Sequence, residues 1–233
     1  ATSIDELDVL DQIDIVEENL KKIGYISQRV AMDFIIQKTI DALQNLKPDV
    51  VFNLMESIAG DGRFNVFALN LLEYLNLPYT GGDSEILYLT SNKIVTKELL
   101  YFNNLPTPKW YSFKSTNLTA ADFPDYFIIK TKNEDASIGL DDTAVSYAKS
   151  IKDLHLQILQ KSKRLNKECF AEKYINGREM NSPLITIKNN QPLLLPISEI
   201  LFLNYPKDKP KFLNYNSKWV EDTFEYNNTP RTF

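Results

Sequence analysis

The chain has 233 residues, a net charge of −5, 43% hydrophobic and 24% charged residues, 13 Phe, 12 Tyr and a single cysteine. That length suits one large domain or two small ones with a sizeable core. The negative balance argues against a nucleic-acid surface, and no run of about 18 apolar residues offers a membrane span.

The first 24 residues, "ATSIDELDVLDQIDIVEENLKKIG", put Val9, Ile13, Val16, Leu20 and Ile23 at helical spacing. Ser3 with Glu6 reads as a capping box and Gly24 as the stop. A second helix is predicted from about Asp33 to Leu46, ending before Pro48. "DVVFNLM" is a continuous apolar run and predicts a strand buried on both faces. The loop "ESIAGDGRFN" follows, then a helix to about Leu75 and "LPYTGG". This alternation predicts a parallel α/β unit. Ligands of such units sit at the carboxyl ends of the strands, so the Glu56–Arg63 loop reads either as a ligand loop or as a plain connection. Helices are expected over about Asp83–Thr90 and Ser91–Asn103.

The prolines of "LPTPKWYSF" cannot continue a helix, so a domain boundary is expected here, near Leu105–Pro108. Beyond it strands are expected at about 109–113, 126–131, 144–148, 168–175, 178–187 and 193–203, with one helix from Ser150 to Leu165 and a hairpin turn at "KNNQP". This half reads as α+β with an antiparallel sheet. Cys169, in the strand-like "ECFAEKYI", reads as a core thiol in a reducing, cytoplasmic setting. The chain starts at Ala1 without a signal-peptide pattern and stops at "NNTPRTF" without a closing helix, so both ends read as cuts.

Several chemistries have no carrier. There is no G-x-x-x-x-G-K-[ST] loop, no G-x-G-x-x-G after a strand, no G-x-S-x-G elbow and no Cys/His cluster. His155, the single histidine, lies on a helix of mixed polarity and does not suggest a triad. What remains is a set of lysines and glutamates at strand and helix ends. "YFIIKTKNEDASIGL" runs from a β-rich stretch into Lys130 and then into a small-residue loop. By itself this fits an ordinary strand exit with a solvated lysine. It also fits a phosphate grip, because lysine supplies point positive charge and small residues let backbone N–H groups come close. Lys93 opens a helix, Lys218 lies in "NYNSKWV", and Glu172 and Glu179 flank "KYINGR". A strand entering "EKYI" can offer backbone groups to a purine edge, and a carboxylate seven residues on can accept from ribose hydroxyls.

The order of these groups resembles the D-alanine–D-alanine ligase-like branch of the ATP-grasp superfamily. The resemblance runs through "VFNLMESIAGDGRFN", "ALNLLEYLNLPYTGGDSEILYLTSNKIVTKELLYFNNLPTPKW", "IIKTKNEDASIG", "FAEKYINGREMN", "LPISEI" and "NYNSKWVEDTF". It implies an ATP-grasp fold: an N-terminal parallel α/β domain over 1–104, a central ATP-clamp domain with an antiparallel sheet over 105–190, and the start of an incomplete C-terminal domain over 191–233.

By resemblance, Lys93 and Lys130 hold ATP phosphates, Asp135, Ala136 and Ser137 form the flexible loop over the β-phosphate, and Glu172, Lys173 and Ile175 form the adenine-reading hinge. Glu179 looks like the ribose carboxylate. Lys218 looks like the catalytic lysine that meets the γ-phosphate, or the acyl-phosphate formed from it. The implied reaction joins a carboxylate to an amine through that acyl-phosphate, largely by positioning and charge neutralisation. The implied partners are ATP, Mg²⁺, a small amino-acid or peptide substrate and a second copy of the chain as a homodimer.

Three departures qualify the resemblance. The family's usual Gly-Ser-Ser is Asp135-Ala136-Ser137, and Trp219 stands where a tyrosine is expected. The hydroxyls missing at Ala136 and Trp219 remove substrate hydrogen bonds worth roughly 1 kcal/mol each, so a carboxylate–amine pair other than D-alanine is expected. The family's magnesium ligands fall beyond residue 233, so this chain alone is expected to be inactive. Two rival readings stay open: a degenerate ATP-grasp module serving as a nucleotide-binding scaffold, and a phosphotransferase with another acceptor.

Overall fold

The structure, a computed structural model, describes residues 4–187 and 191–233. The chain divides into two compact units, one of residues 1–106 with Asn133–Asp135, the other of Thr107–Lys132 with Ala136–Phe233.

The first unit is mainly helical. Helix α1, Ile4–Lys22, has Lys21 and Lys22 in its last turn, where cations favour the helix dipole. Gly24 at φ +89 leaves the helix in the left-handed region, as its sequence position predicts. The Ser3–Glu6 capping box lies outside the described residues. Helix α2, Ile36–Leu46, ends with Lys47 at φ 47, its amide donating to the Leu43 carbonyl. Helix α3 spans Val66–Tyr74, α4 Ser84–Ser91 and α5 Lys93–Phe102. Leu43, Leu69 and Leu72 form the buried core, with Val51, Leu75, Leu77, Tyr79 and Leu87 packed against it.

The expected strand "DVVFNLM" is reduced to a single parallel bridge between Val51 and Tyr79. A strand buried on both faces needs a ladder and a cover on each side. Val51 is tied through Pro78 and Thr80, but Val50 and Phe52 on either side of it are exposed.

The second unit holds the antiparallel half. Strands β1 (Trp110–Tyr111), β2 (Asp125–Thr131), β3 (Val145–Ala148) and β4 (Cys169–Lys173) form one sheet in the order β1-β4-β2-β3. Helix α6, Ile151–Leu165, starts at an N-cap Ser150 that accepts from the Asp153 amide. Leu154 and Ile158 of α6 pack on Phe127, Ile129, Cys169 and Ala171, so the odd-numbered side chains of β2 and β4 face the helix. Strand period two turns Ile128, Lys130, Phe170 and Glu172 to the opposite face.

Two expected long strands are each split by a proline, which cannot donate to a ladder. Residues 178–187 give β5 (Glu179–Asn181) and β6 (Leu184–Ile187) around Pro183. The stretch expected at 193–203 gives β7 (Gln191–Leu194) and β8 (Ser198–Ile200) around Pro196. β6 and β7 pair antiparallel as the hairpin pattern predicts, although turn residues 188–190 lie outside the described residues. β5, β8 and β9 (Arg231–Thr232) make a three-stranded sheet. Short helices α7 (Tyr215–Trp219) and α8 (Phe224–Asn227) precede β9.

Candidate functional site

In the first unit the chemistry gathers at the start of α5. Asn92 caps the helix by accepting from the amides of Ile94 and Val95. Lys93 is the first helical residue, where a cation opposes the helix dipole. Its ammonium donates to the Glu134 carbonyl at 2.5 Å and pairs with the Asp135 carboxylate at 3.0 Å. The Asn133 side-chain amide donates to the Ser91 carbonyl at 3.5 Å. The Glu56–Arg63 loop meets the same segment: a Cβ on Gly62 would stand 2.9 Å from the Asn133 carbonyl oxygen, so only glycine allows the approach.

In the second unit Lys130 lies inside β2, one residue short of the strand's end at Thr131. The register sets Lys130 opposite Phe170 and Ile128 opposite Glu172, which makes Lys130 and Glu172 diagonal neighbours on the face away from α6. Their charged ends meet at 2.6 Å, with the carboxylate side chain 12% exposed and the lysine 30%. A cation and an anion thus stand side by side on a half-buried, otherwise apolar sheet face.

Lys173 is held differently from Lys130. Its ammonium lies 3.1 Å from Asp125 and 3.2 Å from Asp122, and its amide donates to the Lys109 carbonyl at 2.8 Å. Asp122 also takes the Lys109 ammonium at 3.0 Å, the Thr119 amide at 2.8 Å and the Thr119 hydroxyl at 3.0 Å. The Thr119 amide first, against burial, and then the two lysines hold the Asp122 carboxyl far below the usual carboxylate range. Asp125, foremost, together with Asp122, raises the Lys173 ammonium above its ordinary value against the effect of burial. Lys173 therefore fixes the end of β4 in place. Ile175, two residues on, is 65% exposed.

The small-residue loop is tied down by the chain segment that carries Lys218. Ala136 and Ser137 both adopt the left-handed region, at φ 54 and φ 60. Such conformations cost on the order of 1–3 kcal/mol each and persist where surrounding structure fixes them. The Trp219 indole donates to the Ala136 carbonyl at 2.7 Å, and the Ser137 hydroxyl to the Leu213 carbonyl at 3.0 Å. The Tyr215 amide donates to the Leu140 carbonyl at 2.8 Å. Leu213 also donates its amide to Glu179 at 3.0 Å, and the Tyr174 hydroxyl accepts from the Lys211 amide at 2.7 Å. Lys218 itself is exposed on α7.

The second unit thus joins Lys130 to Glu172, and Glu179, Ala136 and Ser137 to the 211–219 segment. The first unit joins Lys93 to Asp135. Sequence reasoning missed Asp122, Asp125, Lys109 and Tyr174. The pattern T-x-x-D at Thr119–Asp122, which forms a capping box, was a usable signal for Asp122. The backbone role of Leu213 leaves no signal in the sequence. Among the described residues no group of three or more His, Cys, Asp or Glu gathers in a way that could hold a metal ion. None of the described helices is long and apolar enough to cross a membrane.

No protein-family model matches the chain. It is 26% identical over 230 residues to the D-alanine–D-alanine ligase of Carboxydothermus hydrogenoformans, covering 94% of this chain and 66% of that protein. It is 28% identical over 189 residues to the D-alanine–D-alanine ligase of Aquifex aeolicus, covering 79% and 57%. Among solved structures, the D-alanine–D-alanine ligase of Bacillus anthracis superposes over 100% of this chain and 68% of its own, with a TM-score of 0.62 at 20% identity. The same protein complexed with ATP gives a TM-score of 0.52 at 20% identity over 81% and 61%. The chain has the ATP-grasp fold and is similar in sequence to D-alanine–D-alanine ligases. It spans less than two-thirds of the length of these two curated relatives.

Proposed function

We propose that the chain is the nucleotide cradle of an ATP-dependent carboxylate–amine ligase. The observation that carries this reading is the Lys130–Glu172 pair on one sheet face. An ammonium has three donors and a carboxylate two acceptor oxygens, each with two lone pairs. The exocyclic edge of adenine offers an acceptor at N7 beside a donor at N6, whereas guanine offers acceptors at both N7 and O6. A donor beside an acceptor therefore matches adenine and leaves Glu172 facing an acceptor of guanine.

The remaining roles follow the resemblance. Lys93 and Lys130 neutralise phosphate oxygens, backbone groups of Asp135, Ala136 and Ser137 cover the β-phosphate, and Lys173 and Ile175 complete the hinge. Glu179 receives the ribose hydroxyls. Lys218 faces the transferred phosphoryl group, where its charge offsets that of the attacking carboxylate. A carboxylate oxygen bonds to the γ-phosphorus as the bond to ADP breaks. The substrate amine then bonds to the carbonyl carbon, phosphate leaves, and the amine loses a proton. The functional division we propose is 1–104, 105–190 and 191–233. Magnesium, which supplies charge neutralisation on the phosphates when bound, has no ligands to name among the described residues.

The substrate we propose is an amino acid or peptide other than D-alanine, because Ala136 and Trp219 lack the expected hydroxyls. In the whole protein, strong phosphate release dependent on D-alanine alone would contradict this. A reducing, cytoplasmic setting keeps the buried Cys169 thiol free. Exposed apolar side chains on the first unit, including Ile23 and Ile26, support self-association, which sedimentation tests.

Titration calorimetry with ATP and GTP tests the nucleotide reading. ATP should bind at least about tenfold more tightly, and Glu172→Gln, whose amide also offers a donor, should narrow the gap. Equal affinities, or no binding of either, contradict it.

A further inference from the structure

We infer that Asp135 is an internal anion that nucleotide phosphate has to displace from Lys93. The inference rests on the proposed role of Lys93 as a phosphate lysine. The carboxylate sits 3.0 Å from the Lys93 ammonium, and the adjacent Glu134 carbonyl accepts from the same nitrogen at 2.5 Å. Two of the three ammonium protons are therefore engaged by residues of the loop itself. The contact is held in place from both sides. The close approach of Gly62 to the Asn133 carbonyl and the Asn133 bond to Ser91 fix the segment that precedes Asp135. The Asn92 cap fixes the first turn of α5, and with it the root of Lys93.

Asp135 occupies the loop position at which the family pattern has an uncharged glycine. A phosphate oxygen approaching Lys93 meets a carboxylate already there, and two like charges within a few ångströms repel each other. The phosphate prevails because it carries more charge, and the carboxylate, 79% exposed on its side chain, is free to swing into water. Asp135 thereby weakens nucleotide binding and keeps the lysine neutralised when the site is empty.

The test is calorimetric titration of the full chain with ATP, in EDTA and in Mg²⁺, for the wild type, Asp135→Asn, Asp135→Gly, Lys93→Ala and Lys93→Ala/Asp135→Asn. Asp135→Asn and Asp135→Gly should each bind ATP roughly three- to tenfold more tightly in both media, the range expected for one exposed ion pair plus one like-charge contact. In the Lys93→Ala background the same change should give less than about a twofold gain. Unchanged or weaker binding by both Asp135 variants, while Lys93→Ala still weakens it, overturns the inference and leaves the nucleotide reading intact. Weaker binding confined to Mg²⁺ also overturns it, by making Asp135 a metal ligand. Failure of every protein to bind ATP removes the nucleotide reading, and the inference with it. Thermal melts confirm that each variant is folded.

Discussion

Trp219 and Ala136, 83 residues apart, are joined by a hydrogen bond of 2.7 Å from the indole N–H to the carbonyl oxygen. The bond ties the helix that carries Lys218 to a loop residue in a left-handed conformation at φ 54. The indole reaches the backbone of the loop rather than one of its side chains. Trp219→Phe keeps an aromatic ring but removes the donor and part of the indole's volume, so it should lower unfolding stability by about 1–2 kcal/mol. It should also speed amide hydrogen exchange in the 136–140 loop. Ala136→Gly removes the Cβ that opposes a left-handed residue and should stabilise the fold by up to about 1 kcal/mol. Denaturant titration and exchange mass spectrometry check both, and an unaltered loop in Trp219→Phe contradicts the first.

Gly139 needs its lack of a side chain twice over. Its φ is +75, and a Cβ would stand 2.5 Å from a Leu165 methyl carbon. Gly139→Ala should destabilise by roughly 2–3 kcal/mol, from backbone strain plus overpacking. Adding Leu165→Ala to this variant should recover only the steric part of its effect. Full recovery in the double mutant would mean that the backbone at residue 139 is not strained.

The Asp122 network gives stability a pH signature. Folding depresses the Asp122 pKa, chiefly through the Thr119 amide and then through Lys109 and Lys173. The stabilisation is therefore present above the unfolded value of about 3.9 and is lost as pH falls below it toward the folded value. Lys173 is raised, chiefly by Asp125, so its share is full below about pH 10.4 and lost as pH rises beyond that. Neither Asp122 nor Lys173 contributes a slope between these limbs. Asp122→Asn should flatten the acid limb and cost about 2 kcal/mol at neutral pH, because two lysines lose a buried partner. An acid limb as steep as that of the wild type rules out Asp122 as its source.

Lys161 is the reverse case. It is buried on α6, its ammonium makes no hydrogen bond, and the nearest carboxylate oxygen, on Asp141, is 3.9 Å away. Burial pushes its pKa down. Asp141 keeps Arg164 and Thr143 as partners if the lysine is removed. Lys161→Met should therefore leave stability unchanged or raise it by up to about 2 kcal/mol. A loss above about 1 kcal/mol in denaturant titration would show that the Asp141 pair outweighs desolvation.

The antiparallel half was legible because its side chains alternate. Phe127, Ile129 and Thr131 turn one way, and Ile128 and Lys130 the other. Helix ends were legible at Ser150, where the expected helix starts, and at Gly24, which marks a stop. "DVVFNLM" misled because an apolar run states what a strand prefers to be buried in, whereas burial depends on neighbours that a run does not name. The candidate residues were named one by one through the resemblance. Their pairings were not. Lys130 reaches Glu172 only through a β2–β4 register that the sequence leaves open, and Glu179 and Ser137 meet the backbone of Leu213, whose side chain says nothing about it.

The most direct measurement is calorimetric titration of this 233-residue chain with ATP, beside Lys93→Ala and Lys130→Ala. If the two lysines hold phosphate, the wild type binds ATP and each variant binds it roughly tenfold or more weakly, since a charge-assisted bond is worth about 1.5–3 kcal/mol. Wild-type affinity in both variants, or no binding by the wild type, would contradict the assignment of this chain as a nucleotide cradle.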